Sequence, residues 1–216
     1  MTFSFSPEVL SYEAINKKAE TFLKTYTSGL LPVNIEEIIE LRFGINIIPF
    51  PRLLETFEVD GFTSKDLSSI YVDEDIYNKR PSRYRFTLAH EVGHIILHKD
   101  LIKEINPASV AEWEDFYLKV DEDSYSWVEY QAYSFAGLIL VPRIPLLKDY
   151  AAAIAPLFDK IKKARAAGFG LSNDDSYNEY VIDSISQKLT PKYDVSIGVL
   201  KKRLFKEVAI GNLKIP

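Results

Sequence analysis

The sequence predicts an α+β fold, in which helices surround a small twisted sheet, antiparallel or mixed, and a helical extension follows at the C-terminus. Apolar residues recur at helical spacing over most of the chain, whereas three short stretches of the first half have strand composition. The charge is also uneven, because residues from 160 onward carry eleven Lys or Arg and six acidic residues, although the net charge of the chain is −5. We therefore expect two modules, a core at 1–146 and a helical module at 147–216.

The first half contains the predicted sheet. Its expected elements are helices at 11–27 and 34–42 and strands at 45–48, 58–63 and 69–73. Gly44 suits the end of the second helix, since glycine readily adopts the left-handed conformation found at such ends. The polar turn SKDLS between the last two strands predicts a hairpin.

The second half is predicted to be helical. The expected helices lie at 80–98, 127–142, 149–167, 174–189 and 196–208. Ser196 is expected to cap the last helix, and the last two helices have the spacing of a helix-turn-helix. Four basic side chains are candidates for phosphate contacts: Lys201, Lys202, Arg203 and Lys206. The alternative is a solvated basic face, and the negative net charge favours weak DNA binding at most.

The helix at 80–98 carries a His-Glu-x-x-His motif formed by His90, Glu91 and His94. Residues at i and i+4 lie about 40° apart around a helix, so both imidazoles can reach one tetrahedral cation. Glu91 would then face a water beside the metal, where a carboxylate can act as general base. The alternative is a hydrogen-bonded His pair in the core. The metal is favoured because burying two imidazoles and a carboxylate is costly unless something coordinates or pairs them.

A catalytic zinc site needs a third protein ligand. His98 lies about 12 Å along the helix from His90, too far to share the ion, so we expect it behind the ligands or in the packing. Glu129 is the better candidate, because it lies on the same predicted helix face as two alanines that allow a close helix approach. An exposed or Tyr-paired glutamate is the alternative. The chain has no cysteine, so His and carboxylate side chains are the strong ligands available.

Two segments carry a resemblance to a known family. RFTLAHEVGHIILH, at 85–98, is followed 35 residues after His94 by Glu129 in the pattern ExxAxxFAxxxxxP. These motifs resemble the ImmA/IrrE family of bacterial metallopeptidases, over roughly residues 11 to 145. The resemblance implies a zincin-like core with a Zn²⁺ ion held by His90, His94 and Glu129. It also implies limited cleavage of a helix-turn-helix transcriptional repressor, in stress response or mobile-element transfer. Tyr133 stands where the family usually has Asn.

The sequence motif indicates the metal ligands and the general base, but it does not indicate the residues that bind substrate or stabilise the oxyanion. We expect the strand SSIYV to form the sheet edge near the zinc, where it would hold substrate as an added strand. The substrate-binding candidates are therefore Ser69, Ile70, Tyr71 and Val72, and a purely structural edge strand is the alternative. Polar candidates for the oxyanion donor are Tyr71, Arg83 and Tyr84.

Composition and charge complete the interpretation. No signal peptide is visible at the N-terminus, and no apolar run is long enough for a membrane span, so we expect a cytoplasmic protein. Residues 100 to 129 contain nine acidic residues and two lysines, which indicates a solvated surface segment or an acidic rim for a basic protein substrate.

The rival to a peptidase is a regulatory DNA- or protein-binding module with a structural or vestigial zinc site. The complete motif argues against it, since a structural site has no use for Glu91.

Overall fold

The computed structural model of the protein describes residues 8–105, 121–166 and 174–215. Helices predominate in these residues, and the β-structure they contain is one sheet of three strands, so the α+β class is confirmed. The chain separates into two compact units, Met1–Leu140 and Val141–Pro216, a division six residues before the boundary expected at 146. No helix of the described residues is long and apolar enough to cross a membrane.

The first unit begins with two helical segments. Helix α1, Tyr12–Tyr26, starts after Ser11, whose hydroxyl accepts a hydrogen bond from the Ala14 amide. Helix α2, Ile35–Glu37, continues directly into a π-helical segment, Ile38–Phe43. Gly44 ends this segment with a φ of 66°, the left-handed conformation that its position in the sequence predicts.

The sheet has the order β1-β3-β2. Its strands are β1 at Asn46–Phe50, β2 at Gly61–Thr63 and β3 at Ser69–Asp73. Strands β2 and β3 are antiparallel, which confirms the predicted hairpin, and β1 joins β3 in parallel, so the sheet is mixed. The prediction that β3 forms the edge is wrong, because β1 adds to its other side and the β3 backbone pairs with both neighbours.

The first unit contains further helices among the described residues. They are α3 at Leu53–Phe57, α4 at Glu74–Lys79, α5 at Pro81–Leu97, α6 at Lys99–Ile105 and α7 at Glu122–Leu140. Asp73 ends β3 and begins α4, since its carboxylate accepts hydrogen bonds from the Asp75 and Ile76 amides. The apolar residues on one side of β3 and α5 are fully buried and form the core next to the site: Ile70, Val72, Leu88, Ala89 and Val92.

The second unit is built from α8 at Arg143–Ala166, α9 at Asp174–Tyr193 and α10 at Ile197–Ala209. Ser196 caps α10 as predicted, because its hydroxyl accepts a hydrogen bond from the Val199 amide. Arg203, one of the four candidates for phosphate contacts, is not available for that role. Its side chain is buried, and its guanidinium donates to the buried carboxylate of Glu207 at 2.7 Å. Lys201 Nζ also pairs with Asp183 Oδ1 at 2.6 Å. Fewer of the four basic side chains are therefore accessible to a polyanion such as DNA.

Candidate metal centre

Helix α5 presents two imidazoles on one of its faces. Pro81 suits the first turn of α5, where no amide hydrogen is required, and the helix then runs without interruption past His90 and His94. Their Nε2 atoms lie 2.9 Å apart, and each side chain is partly exposed, at 12% and 14%. The i, i+4 spacing therefore brings both nitrogen atoms to one point, as the motif predicts.

Helix α7 brings Glu129 to the same point because it packs closely on α5. A Cβ atom added to Gly93 would lie only 3.0 Å from the carbonyl oxygen of Ala132 and 3.1 Å from its Cα. The small residues on both helices thus allow the two backbones to approach each other. Glu129, one turn before Ala132, reaches His90 Nε2 at 3.3 Å and His94 Nε2 at 3.4 Å.

The donor set suits a zinc ion. The ligand atoms of His90, His94 and Glu129 all lie within 4.8 Å of one another. Tetrahedral zinc with bonds of about 2.05 Å separates its ligand atoms by about 3.3 Å, close to the two nitrogen–oxygen distances. Two imidazole nitrogens and one carboxylate form a common catalytic zinc set, which leaves a fourth position for water or substrate.

The imidazole of His94 and the carboxylate of Glu129 each favour the charged form of the other. Burial lowers the pKa of His94, but the hydrogen bond and charge of Glu129 outweigh that effect and raise it overall. Burial conversely raises the pKa of Glu129, and its bonds to His90 and His94 outweigh this, so the net shift is strongly downward. Glu129 is therefore an anion that attracts positive charge, whether a proton on His94 or a metal ion.

Glu91 lies on the buried side of α5, with only 5% of its surface exposed. Thr63 of β2 donates a hydrogen bond from Oγ1 to Glu91 Oε2 at 2.8 Å. The sequence motif indicates Glu91, but no local pattern indicates Thr63, which lies 28 positions away and meets Glu91 only when β2 packs on α5.

The comparison with protein families agrees with this geometry. A family model described as the IrrE N-terminal-like domain matches residues 41–205, about three quarters of the chain. The chain belongs to the ImmA/IrrE metallopeptidase family. No curated protein matches the chain. The family match extends beyond the two motifs of the first unit and ends within α10 of the second unit.

His98 lies behind the ligands of this ImmA/IrrE site, as expected. Its Nδ1 is 3.2 Å from His94 Nδ1, its Nε2 is 3.4 Å from Gln131 Oε1, and Gln131 Nε2 donates to the Glu8 carbonyl at 2.9 Å. Burial and the nearby His94 lower the pKa of His98 to about 4, so it is neutral near pH 7. If His94 directs the lone pair of Nε2 at a metal, its Nδ1–H donates to His98, and His98 donates in turn to Gln131.

Tyr133 covers His90 in this ImmA/IrrE chain. The two ring centroids are 4.4 Å apart, and Phe86 stacks on the tyrosine ring with the centroids 5.8 Å apart. The Nδ1 atom of His90 is buried and has no hydrogen-bond partner among the described residues. Aromatic packing therefore orients His90. An asparagine at position 133 would offer a polar side chain instead.

Two of the three oxyanion candidates, Arg83 and Tyr84, make other polar contacts. Arg83 makes two hydrogen bonds to Asp60, each 2.6 Å long, and the Tyr84 hydroxyl bonds Glu36 at 3.0 Å. Tyr71 stacks on Phe62 with the ring centroids 4.9 Å apart.

The substrate-binding candidates lie on the central strand. Ser69, Ile70 and Val72 are buried, and their backbones belong to the β1–β3 and β2–β3 ladders. Tyr71 alone of the four is partly exposed. A substrate strand cannot pair with β3 unless one of its two neighbouring strands leaves.

Proposed function

We propose that this chain is a zinc-dependent endopeptidase that makes limited cuts in a protein substrate. The observation that carries the proposal is the convergence of His90, His94 and Glu129 within 4.8 Å, beside a buried Glu91. A structural site needs no carboxylate in that position, whereas hydrolysis needs a base. We also propose that the first unit is a zincin-like core, in which α5 packs on the three-stranded sheet.

In this proposal the residues have separate roles. His90, His94 and Glu129 hold the ion, which when bound polarises the scissile carbonyl and makes a water more acidic. Glu91 accepts the proton of the attacking water and then delivers it to the departing amine nitrogen. The His98–Gln131 hydrogen bonds keep His94 in the tautomer that can coordinate, and Tyr133 holds the ring of His90 in place.

Strand β2 is the better candidate for the substrate edge. Its pairing in the described residues is with β3 alone, and its last residue, Thr63, contacts Glu91. An extended peptide that joined β2 by β-strand addition would pass beside the general base. Two bulky side chains, Phe62 of this strand and Tyr71 of β3, are partly exposed and would contact the side chains of such a peptide.

A helix-turn-helix transcriptional repressor is the substrate we propose, in stress response or in the regulation of mobile elements. The resemblance of the two motifs to the ImmA/IrrE family supports this choice. The acidic residues between 100 and 129 are consistent with a basic, DNA-binding substrate, although residues 106–120 of that segment lie outside those the structure describes.

The test is incubation of the zinc-loaded protein with a helix-turn-helix regulator, taken from the neighbouring genes where one is encoded there. Intact-mass spectrometry would locate any cut, and Glu91→Gln is the control because it retains the ligands and loses the base. Cleavage by the wild type and none by the variant is the expected result. An equal rate of cleavage by both proteins would exclude hydrolysis at this site.

The alternative of a DNA-binding regulator is weakened by the second unit. Arg203 is buried against Glu207, and Lys201 is paired with Asp183. A phosphate-binding surface needs accessible cations, so we expect any DNA binding to be weak and strongly dependent on salt.

A further inference from the structure

Thr63 and Glu91 form a buried pair outside the zinc ligands. The threonine is 4% exposed and the glutamate 5%, and the hydroxyl is 2.8 Å from Oε2. Rotation about the Cγ–Cδ bond of a glutamate exchanges its two carboxylate oxygens. A hydrogen-bond donor in a fixed position on one oxygen therefore also fixes where the other oxygen points. Thr63 thus has the position needed to aim Glu91.

The strand that carries Thr63 is held firmly. A Cβ atom on Gly61 would lie 2.7 Å from the Tyr71 carbonyl oxygen and 2.8 Å from Cγ2 of Thr87. Strand β2 is therefore in close contact with β3 on one side and with α5 on another. The backbone that carries the Thr63 hydroxyl therefore has a defined position relative to α5, the helix that carries the general base.

We propose that Thr63 is a positioning residue for the general base, and that it links the orientation of Glu91 to β2, the strand proposed to receive the substrate. This inference rests on the proposed function. The hydrogen bond from Thr63 holds Oε2, which leaves Oε1 to face the attacking water. Because Thr63 belongs to β2, a substrate strand added at that edge is placed in register with the base.

A purely structural role is the competing explanation, since a buried carboxylate requires hydrogen bonds wherever it lies. That role would affect the free energy of unfolding, and it would not selectively affect the catalytic constant or the binding of a ligand that contacts Glu91. These quantities therefore separate the two explanations.

Three variants test whether Thr63 positions Glu91. Thr63→Val keeps the shape and removes the donor, Thr63→Ser keeps the donor, and Thr87→Val is a matched control at a buried threonine of α5 beside β2. For each zinc-loaded protein, kcat and KM are measured on a protein that the cleavage test shows to be a substrate. Zinc content and the affinity for acetohydroxamate are measured separately. A hydroxamate chelates zinc, and its acidic proton forms a charge-assisted hydrogen bond with a carboxylate placed as Glu91 is.

We expect Thr63→Val to lower kcat and hydroxamate affinity by about 10-fold to 100-fold, the usual effect of losing a group that orients an active-site residue. Its KM and zinc content should stay near those of the wild type, and both Thr63→Ser and Thr87→Val should behave as the wild type. Wild-type kcat and hydroxamate affinity in Thr63→Val would overturn the proposal, as would equal losses in Thr87→Val.

The outcomes also separate this inference from the function on which it rests. Absence of Glu91-dependent cleavage in the wild type would contradict the peptidase, and the hydroxamate measurement would still decide whether Thr63 orients Glu91. Full activity of Thr63→Val beside an inactive Glu91→Gln would reject the role of Thr63 alone.

Discussion

Replacement of Gly93 by alanine tests whether close packing of α5 and α7 places the third metal ligand. The new Cβ would lie 3.0, 3.1 and 3.4 Å from the carbonyl oxygen, Cα and carbonyl carbon of Ala132, and ordinary van der Waals contacts begin at 3.4 Å. All three are backbone atoms, so no side-chain rotation relieves the contact. The two helices must move apart by a few tenths of an ångström.

Two opposing energies determine the stability of Gly93→Ala. Overpacking of a well-packed contact costs about 1–3 kcal/mol. Alanine in a helix interior recovers about 0.8–1 kcal/mol relative to glycine. We expect a net loss of about 1 kcal/mol, which lowers the Tm of a chain of this size by about 2–4 °C.

The effect on the metal should be larger than the effect on stability. Glu129 lies three residues before Ala132 on α7, so it moves with the contact, whereas His94 is next to Gly93 on α5. Metal–ligand distances tolerate a change of about 0.2 Å. We therefore expect zinc affinity to fall by at least about tenfold, which corresponds to about 1.4 kcal/mol.

Chelator competition measures zinc affinity, and thermal unfolding measures stability. Gly198→Ala in α10 is the control, because a Cβ there meets only Ser196 Oγ, at 3.8 Å, and it should leave zinc affinity unchanged. Wild-type zinc affinity together with an unchanged or higher Tm in Gly93→Ala would refute the packing argument.

Four further results are expected. Glu91→Gln should lower the cleavage rate by about 10²-fold to 10⁴-fold with zinc content nearly intact, measured by mass spectrometry and metal analysis, and an unchanged rate would contradict its role as base. Glu129→Ala should lose zinc on dialysis while His98→Ala retains its stoichiometry with about 10-fold to 100-fold lower affinity, and the reverse order would reassign the third ligand. Zinc affinity should fall as pH decreases, because Glu129 raises the pKa of His94 and a proton therefore competes with the metal at a higher pH than for a free histidine. This competition is negligible well above that pKa and increases as the pH falls through it, and a titration from about pH 8 to pH 5 that shows constant affinity would contradict it. In a gel-shift titration at two salt concentrations, DNA binding should be weak and decrease steeply with salt, and tight sequence-specific binding at physiological salt would support the regulator instead.

The sequence by itself determined the chemistry of the site and most of the local structure. The His-Glu-x-x-His spacing selects a helix face, so His90 and His94 could be paired without any tertiary information. The helical face of Glu129 and the absence of cysteine made it the preferred third ligand, and His98 was assigned to a place behind the ligands by helix length alone. Capping by Ser196 and termination at Gly44 are local as well, because each depends on a few neighbouring residues.

Only the tertiary structure decided which strand lies at the edge and what holds the general base. A hairpin pattern specifies that β2 and β3 pair, but it does not specify which of them receives β1, since either outer edge offers the same backbone donors and acceptors. Parallel pairing of β1 with β3 placed Ser69–Asp73 in the centre. The same long-range packing brought Thr63 to Glu91, Arg203 to the Val141 carbonyl and Gly93 to Ala132. Such contacts join residues distant in sequence through shape and burial, and no local periodicity encodes them.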